Sequence, residues 1–289
     1  MSAVGVVVRV AAYPVSLVGG ICAAHLALGR GAGVADVTLA AALAVNGLVA
    51  SLERVLPFEP TWNESRDDVL VDLAHVPLTG IAAESARVGA AAIAVWLLPF
   101  APRFAVLPTS LPWPLLLVVA VVIADFPVYL VHRLQHRGGL LWRLHAAHHA
   151  VPRLYFLNAN RNHPLDVLLT AFLSLLLLGV LGAPSDLLAL VAVATTIHAC
   201  FQHSNVDVRL GPLNLVLSGP EVHRYHHDRD AAVANANFGG FTLVWDILFA
   251  TRRMPPRAPA SDVGLAEGTS FPTSLWGVLS SPFRRDLFR

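Results

Sequence analysis

The chain has 289 residues, 55% of them hydrophobic and only 13% charged, with a mean hydropathy of +0.61 and a formal net charge of +1. That composition is too apolar for an ordinary soluble domain, and so small a charge leaves no nucleic-acid-binding face. Cys22 and Cys200 stand alone, which rules out a disulfide framework, a cysteine metal site and an iron–sulfur cluster, so any metal must sit on nitrogen and oxygen.

The opening stretch 5–28 is apolar, carries Arg9 and lacks a small-residue cleavage site, so it reads as a retained membrane helix. Apolar runs at 10–28, 35–50, 82–100 and 115–131 approach the roughly 20 residues that a spanning helix needs. They give four spans. The connections after the first and third are nearly uncharged, whereas 51–72 and 132–161 carry Arg, which places both ends and the later histidines in the cytoplasm. All 20 basic residues are Arg, a bias of GC-rich genomes that points to a bacterial inner membrane. A second apolar pair, 167–182 and 187–200, breaks at Gly182, Pro184 and Ser185, with arms of only about 15 residues. It is either a hairpin of short, tilted helices or an ordinary transmembrane pair. In the hairpin reading its wall would border a slot beside the fourth span, through which a lipid chain could reach the histidines.

Eleven of the 13 histidines fall between His132 and His227. His132 and His136 form HxxxH, and the i,i+4 spacing puts both imidazoles on one helical face. His145, His148 and His149 form HxxHH, directed toward a single point from one side of a helical turn; His223, His226 and His227 repeat the pattern. Eight histidines, joined by His163 in Arg161-Asn162-His163-Pro164 and His203 in Gln202-His203-Ser204-Asn205, exceed what one ion accepts, so two ions are implied. Imidazole suits iron, zinc, copper and nickel alike, which leaves the element open. His25 fits a helix contact and His75 an interfacial position better than ligation, and for His198 both roles remain open.

Carboxylates near such a site would orient ligand imidazoles through their outer nitrogens. The candidates are Asp125, Asp166 and Asp246, with Glu221 and Asp228 beside them. Asp125 lies seven residues before His132, on its helical face, and an acid inside an apolar span is a functional candidate by default. Trp142 and Trp245 fit interfacial anchors. The expected fold is an all-α, multi-pass transmembrane helical bundle: residues 1–131 transmembrane, 132–253 a histidine-rich dimetal region that includes the hairpin 167–200, and 254–289 a cytoplasmic tail.

The series HxxxH, HxxHH, RNHP, QHSN and HxxHH, closed by Asn237-Phe238-Gly239-Gly240 and Trp245-Asp246, resembles the sterol desaturase and fatty acid hydroxylase superfamily over residues 125–253. Glu53-Arg54-Val55-Leu56-Pro57 is similar to the entry segment of the branch that contains alkylglycerol monooxygenase. The resemblance implies an integral membrane enzyme with two iron ions, dioxygen as co-substrate and a lipid substrate that is hydroxylated or desaturated. By position it makes ligands of His132, His136, His145, His148, His149, His203, His223, His226 and His227, with His163 a tenth. The chain lacks a GxGxxG fingerprint and an added haem domain, so electrons must come from a separate ferredoxin, cytochrome or flavoprotein. Arg133, Arg137, Arg153 and Arg229 could dock such a carrier or bind lipid phosphate. Two rival readings are a non-redox zinc lipid hydrolase and a metal transporter.

Overall fold

A computed structural model describes residues 3–97, 106–255 and 262–288. Among them there is no strand, and five helices are long and apolar enough to cross a bilayer. These are α1 (Ala3–Gly29), α2 (Val34–Val55), α3 (Val69–Leu97), α4 (Trp113–Gln135) and, beyond α5 (Gly139–His149) and α6 (Pro164–Val180), α7 (Ser185–Gln202). The expected spans are present, but α3 begins at Val69 instead of Ala82, and its expected end at 98–100 lies outside the described residues. The apolar hairpin is unequal: α6 is short, whereas α7 is long enough to span. Gly182, at φ 86°, and the proline ahead of α7 make the turn between them, a conformation open to glycine because it lacks Cβ.

From that turn the two helices part to different partners. α6 packs on α3 and α4, while α7 packs on α1 and α2. α7 is the most buried of these five helices and supplies Leu190, Val193, Ala194, Ile197 and Phe201 to the main apolar core. α4 runs directly against α6, with the Ser174 hydroxyl donating to the Ala124 carbonyl at 2.8 Å, so the slot expected between the hairpin and the fourth span is closed by helix packing.

Buried polar groups fasten the histidine-bearing segments to the span ends. Glu53, in the last turn of α2, accepts from the backbone N–H groups of Phe156 and Asn205 at 2.8 and 2.9 Å, which explains an acid in the Glu53-to-Pro57 segment. Arg153 makes a two-pronged pair with Asp68, and Asp72 accepts from Arg161 and the Tyr155 hydroxyl. Arg224, fully buried, donates to the carbonyls of Ser204 and Val206 and lies 3.9 Å from the Phe58 ring centroid. Buried charges of this kind persist because each is paired or hydrogen-bonded.

Candidate metal centre

The histidines converge in two groups, each with its ligand atoms within 4.8 Å of one another. His132 and His136 at the end of α4, His145 and His149 on α5, and His226 on α8 (Pro220–His226) form the first. His148 on α5, His203 just past α7, and His223 and His227 around α8 form the second. Neither triplet serves a single point, as the spacing suggested. Each is divided: α5 sends His145 and His149 one way and His148 the other, and α8 sends His226 one way and His223 and His227 the other. A short helix end threaded between two centres reaches both because i, i+3 and i+4 positions fan over part of a turn.

In the first group the ring nitrogens have separate duties. Nδ1 of His132 donates to the Phe238 carbonyl at 2.8 Å, Nδ1 of His136 meets Asn235 Oδ1 at 3.0 Å, Nδ1 of His145 meets Asp166 Oδ2 at 2.9 Å, and Nδ1 of His226 donates to the Ala236 carbonyl at 2.8 Å. Carbonyl and carboxylate oxygens only accept, so Nδ1 carries the proton and Nε2 keeps its lone pair. The Nε2 atoms of His132, His136, His145, His149 and His226 are buried with no hydrogen-bond partner among the described residues. Four of these five carry lone pairs by that argument, and buried lone pairs without donors are costly unless something electrophilic occupies their focus.

The second group is tighter. Nε2 of His203 lies 3.0 Å from that of His148 and 2.9 Å from that of His223, which lies 3.0 Å from that of His227. Two imidazole nitrogens bound to one ion at about 2.0–2.1 Å and a right angle stand roughly 2.9 Å apart. His203 Nδ1 donates to the Ala199 carbonyl at 3.0 Å, which again leaves Nε2 as the lone pair. Burial, reinforced by neighbouring imidazoles, holds His145, His148, His149, His223, His226 and His227 well below the ordinary histidine range. Burial also brings His136 and His203 down to about 4. The rings are therefore neutral, the form that binds a metal. Donor type and protonation fit two bound ions, and so does lone-pair direction in His132, His136, His145, His226 and His203, the rings whose Nδ1 has an acceptor.

Several expectations need correction. His163 joins neither group: its Nδ1 accepts from the Leu165 N–H as the cap of α6, and its Nε2 donates to the Leu279 carbonyl at 3.0 Å, so it ties α6 to the C-terminal segment. His198 is also structural, with Nε2 on the Ser218 carbonyl at 3.1 Å and Nδ1 accepting from the Tyr13 hydroxyl at 2.6 Å. Of the three leading acids, only Asp166 touches an imidazole. Asp125 accepts from the N–H groups of Phe241 and Thr242 at 2.8 and 2.9 Å, and Asp246 from those of Phe238 and Gly239 at 2.8 and 2.7 Å. They hold the loop whose carbonyls orient His132 and His226, one step further out than expected. Glu221 and Asp228 likewise serve backbone turns.

Two participants, Gln135 and Asn235, were not apparent from the sequence, nor was the role of a third, Gly239 of the Asn237-to-Gly240 segment. Gln135 donates to Asp166 Oδ1 at 2.6 Å and so fixes the acid that fixes His145; its place beside His136 was the available clue. Asn235 gave no signal. Gly239 packs so close to the Thr242 carbonyl that a Cβ would fall 1.8 Å from it, and no other residue fits there.

These features define a multi-helix membrane protein with two adjacent all-histidine groups that could each hold a metal ion. Residues 117–251, which contain all nine convergent histidines, match the model of the fatty acid hydroxylase family. The chain is 34% identical to the ornithine lipid hydroxylase OlsE of Rhizobium tropici over 250 residues, 84% of this chain and 74% of that one. It is 29% and 30% identical to the alkylglycerol monooxygenases of Caenorhabditis elegans and Homo sapiens over about half of its length, covering 28% and 32% of theirs. No solved structure matches it. The chain belongs to the fatty acid hydroxylase family.

Proposed function

We propose that the chain is a dioxygen-dependent di-iron hydroxylase of a membrane lipid, with its metal centre on the cytoplasmic side and a separate protein as electron donor. The observation that supports it most is the pair of buried histidine groups, each with its ligand atoms gathered within 4.8 Å of one another. Among lipids, one with an amino-acid head group is favoured, because the likeness to the ornithine lipid hydroxylase covers most of both chains.

The first group would hold one ion and the second the other. Iron bound there would supply the redox chemistry that closed-shell lipid carbon and dioxygen lack. The chain's own residues do the rest. Burial keeps the nine imidazoles neutral or nearly so, Asp166 and the 235–242 loop fix ring direction, and exclusion of water protects the centre from side reactions. The overall balance is R–H, dioxygen, two electrons and two protons giving R–OH and water.

Metal analysis of protein purified without chelators should give two iron ions per chain. Incubation with an ornithine lipid, a reductant and labelled dioxygen should place one labelled oxygen in the lipid. Zinc as the only metal, with no oxygen uptake, would sink the proposal. Reporter fusions at Thr61, Pro108 and the C-terminus test the orientation: Thr61 and the C-terminus should report cytoplasm and Pro108 the opposite side. A cytoplasmic Pro108 would overturn it.

A further inference from the structure

Eight of the nine convergent histidines are buried, and His136 is the one that is not. Its ring lies against Trp142, centroids 5.3 Å apart, and Trp142 also meets the buried His149 at 5.6 Å. The protein shell over the metal centre is therefore thinnest here, and a half-exposed indole bridges the outside to two rings of the first group.

The charge around that point is one-sided. Arg137 follows His136 in the chain and is exposed; Arg143 follows Trp142 and is half-exposed; neither makes an ion pair among the described residues. Arg133, one turn back on α4, donates to the Tyr129 hydroxyl, lies near the Phe249 ring and is within electrostatic reach of the Asp246 carboxylate, so it is left out of the surface. Asp230 is exposed, and one of its carboxylate oxygens accepts from the Ala232 N–H as a helix cap. Two arginines that the sequence offered for the same task drop out: Arg153 is buried on Asp68, and Arg229 pairs with Asp262.

Resting on the redox reading above, we infer that the surface formed by Arg137, Arg143, Trp142 and the edge of His136 docks an acidic one-electron carrier protein. Unpaired cations steer an acidic partner and set its register. The half-exposed aromatic beside them has the character of an interface anchor. Docking there would bring the carrier's reduced centre to the thinnest part of the shell. Each encounter oxidises the carrier by one electron and reduces the metal centre by one, so two encounters supply one turnover. Lipid phosphate is the rival occupant. Arg137 and Arg143 lie past the end of α4, beyond His136, which favours a partner that arrives from water.

The test uses the full chain in nanodiscs, with an acidic plant-type [2Fe–2S] ferredoxin as the probe and dithionite as a reductant that needs no docking site. The double variant Arg137→Glu, Arg143→Glu should bind oxidised ferredoxin at least about tenfold more weakly at low salt, in metal-free and metal-loaded protein alike, and the difference should shrink at high salt. Its reduction by ferredoxin should slow by a similar factor while reduction by dithionite stays within about twofold. Trp142→Leu should bind ferredoxin more weakly, or bind it normally and accept electrons more slowly. Unchanged ferredoxin binding in the double variant overturns the docking surface. A defect seen only in discs of anionic lipid also overturns it and assigns the arginines to lipid phosphate. Wild-type protein that neither dithionite nor ferredoxin reduces would instead refute the redox reading, with the binding comparison still deciding the surface.

Discussion

The two histidine groups draw on the same two short helices, yet they are oriented by different means. Four of the five rings in the first group hand their outer nitrogen to a named acceptor on another segment: Phe238, Asn235, Asp166 or Ala236. The second group relies on burial and on close ring packing, including His203 set by a carbonyl of its own helix and His227 stacked on His149 at 4.5 Å. One centre is braced from outside, the other is wedged from within. The first should be sensitive to residues that never touch a metal, and the second should not.

The largest expected effect separates the groups directly. His226→Ala removes a ligand from the first group and His227→Ala one from the second, so each should lower bound metal from two ions to one and abolish turnover. Metal-specific spectroscopy should show that different ions are lost. If both variants lost the same ion, the division of the triplet on α8 would be wrong.

Next in size are the braces. Asp246→Ala leaves the N–H groups of Phe238 and Gly239 buried without acceptors, and Asp125→Ala does the same to Phe241 and Thr242; each unsatisfied group costs about 1–3 kcal/mol. Thermal unfolding should report that loss. Metal titration should show the first ion weakened and the second nearly unchanged. Equal weakening of both would mean that the loop supports the whole region and not one centre.

Asp166→Ala should act more narrowly. It strips the acceptor from His145 Nδ1 and the partner from Gln135, and loss of such outer partners typically costs 10–100-fold in metal affinity or activity. Asp166→Asn, which keeps an oxygen acceptor, should recover part of it. No difference between the two would remove Asp166 from a positioning role.

Much of this was legible in the sequence because the ligands announce themselves by residue type and helical spacing. His132, His136 and the two triplets could be read so, and so could the apolar spans. The division of each triplet could not, because spacing fixes a face of a helix and not what stands on either side of it. The braces were harder still. Ala236 and Phe238 act through backbone carbonyls, which any residue supplies, and Asp125 and Asp246 grip backbone N–H groups that come close only when the 235–251 segment folds against α4. Burial in α7 was hidden for a related reason: an apolar run has the same composition whether it faces lipid or other helices.

The smallest expected effect concerns the histidine that the motif pattern placed among the ligands and the fold did not. His163 sits where RNHP joins α6, and its ring spans the first turn of that helix and the Leu279 carbonyl of the C-terminal segment. His163→Ala removes a helix cap and one tertiary hydrogen bond, each worth about 1 kcal/mol. Melting temperature should fall by a few degrees, both ions should stay bound, and turnover should persist. His163→Asn, which can cap the helix through its side-chain oxygen, should regain about half of the stability, since it cannot also reach Leu279. The comparison with His145→Ala decides the matter. If His163→Ala released metal as His145→Ala should, the ring must swing into the centre when ions bind, and the braced group would have a sixth histidine.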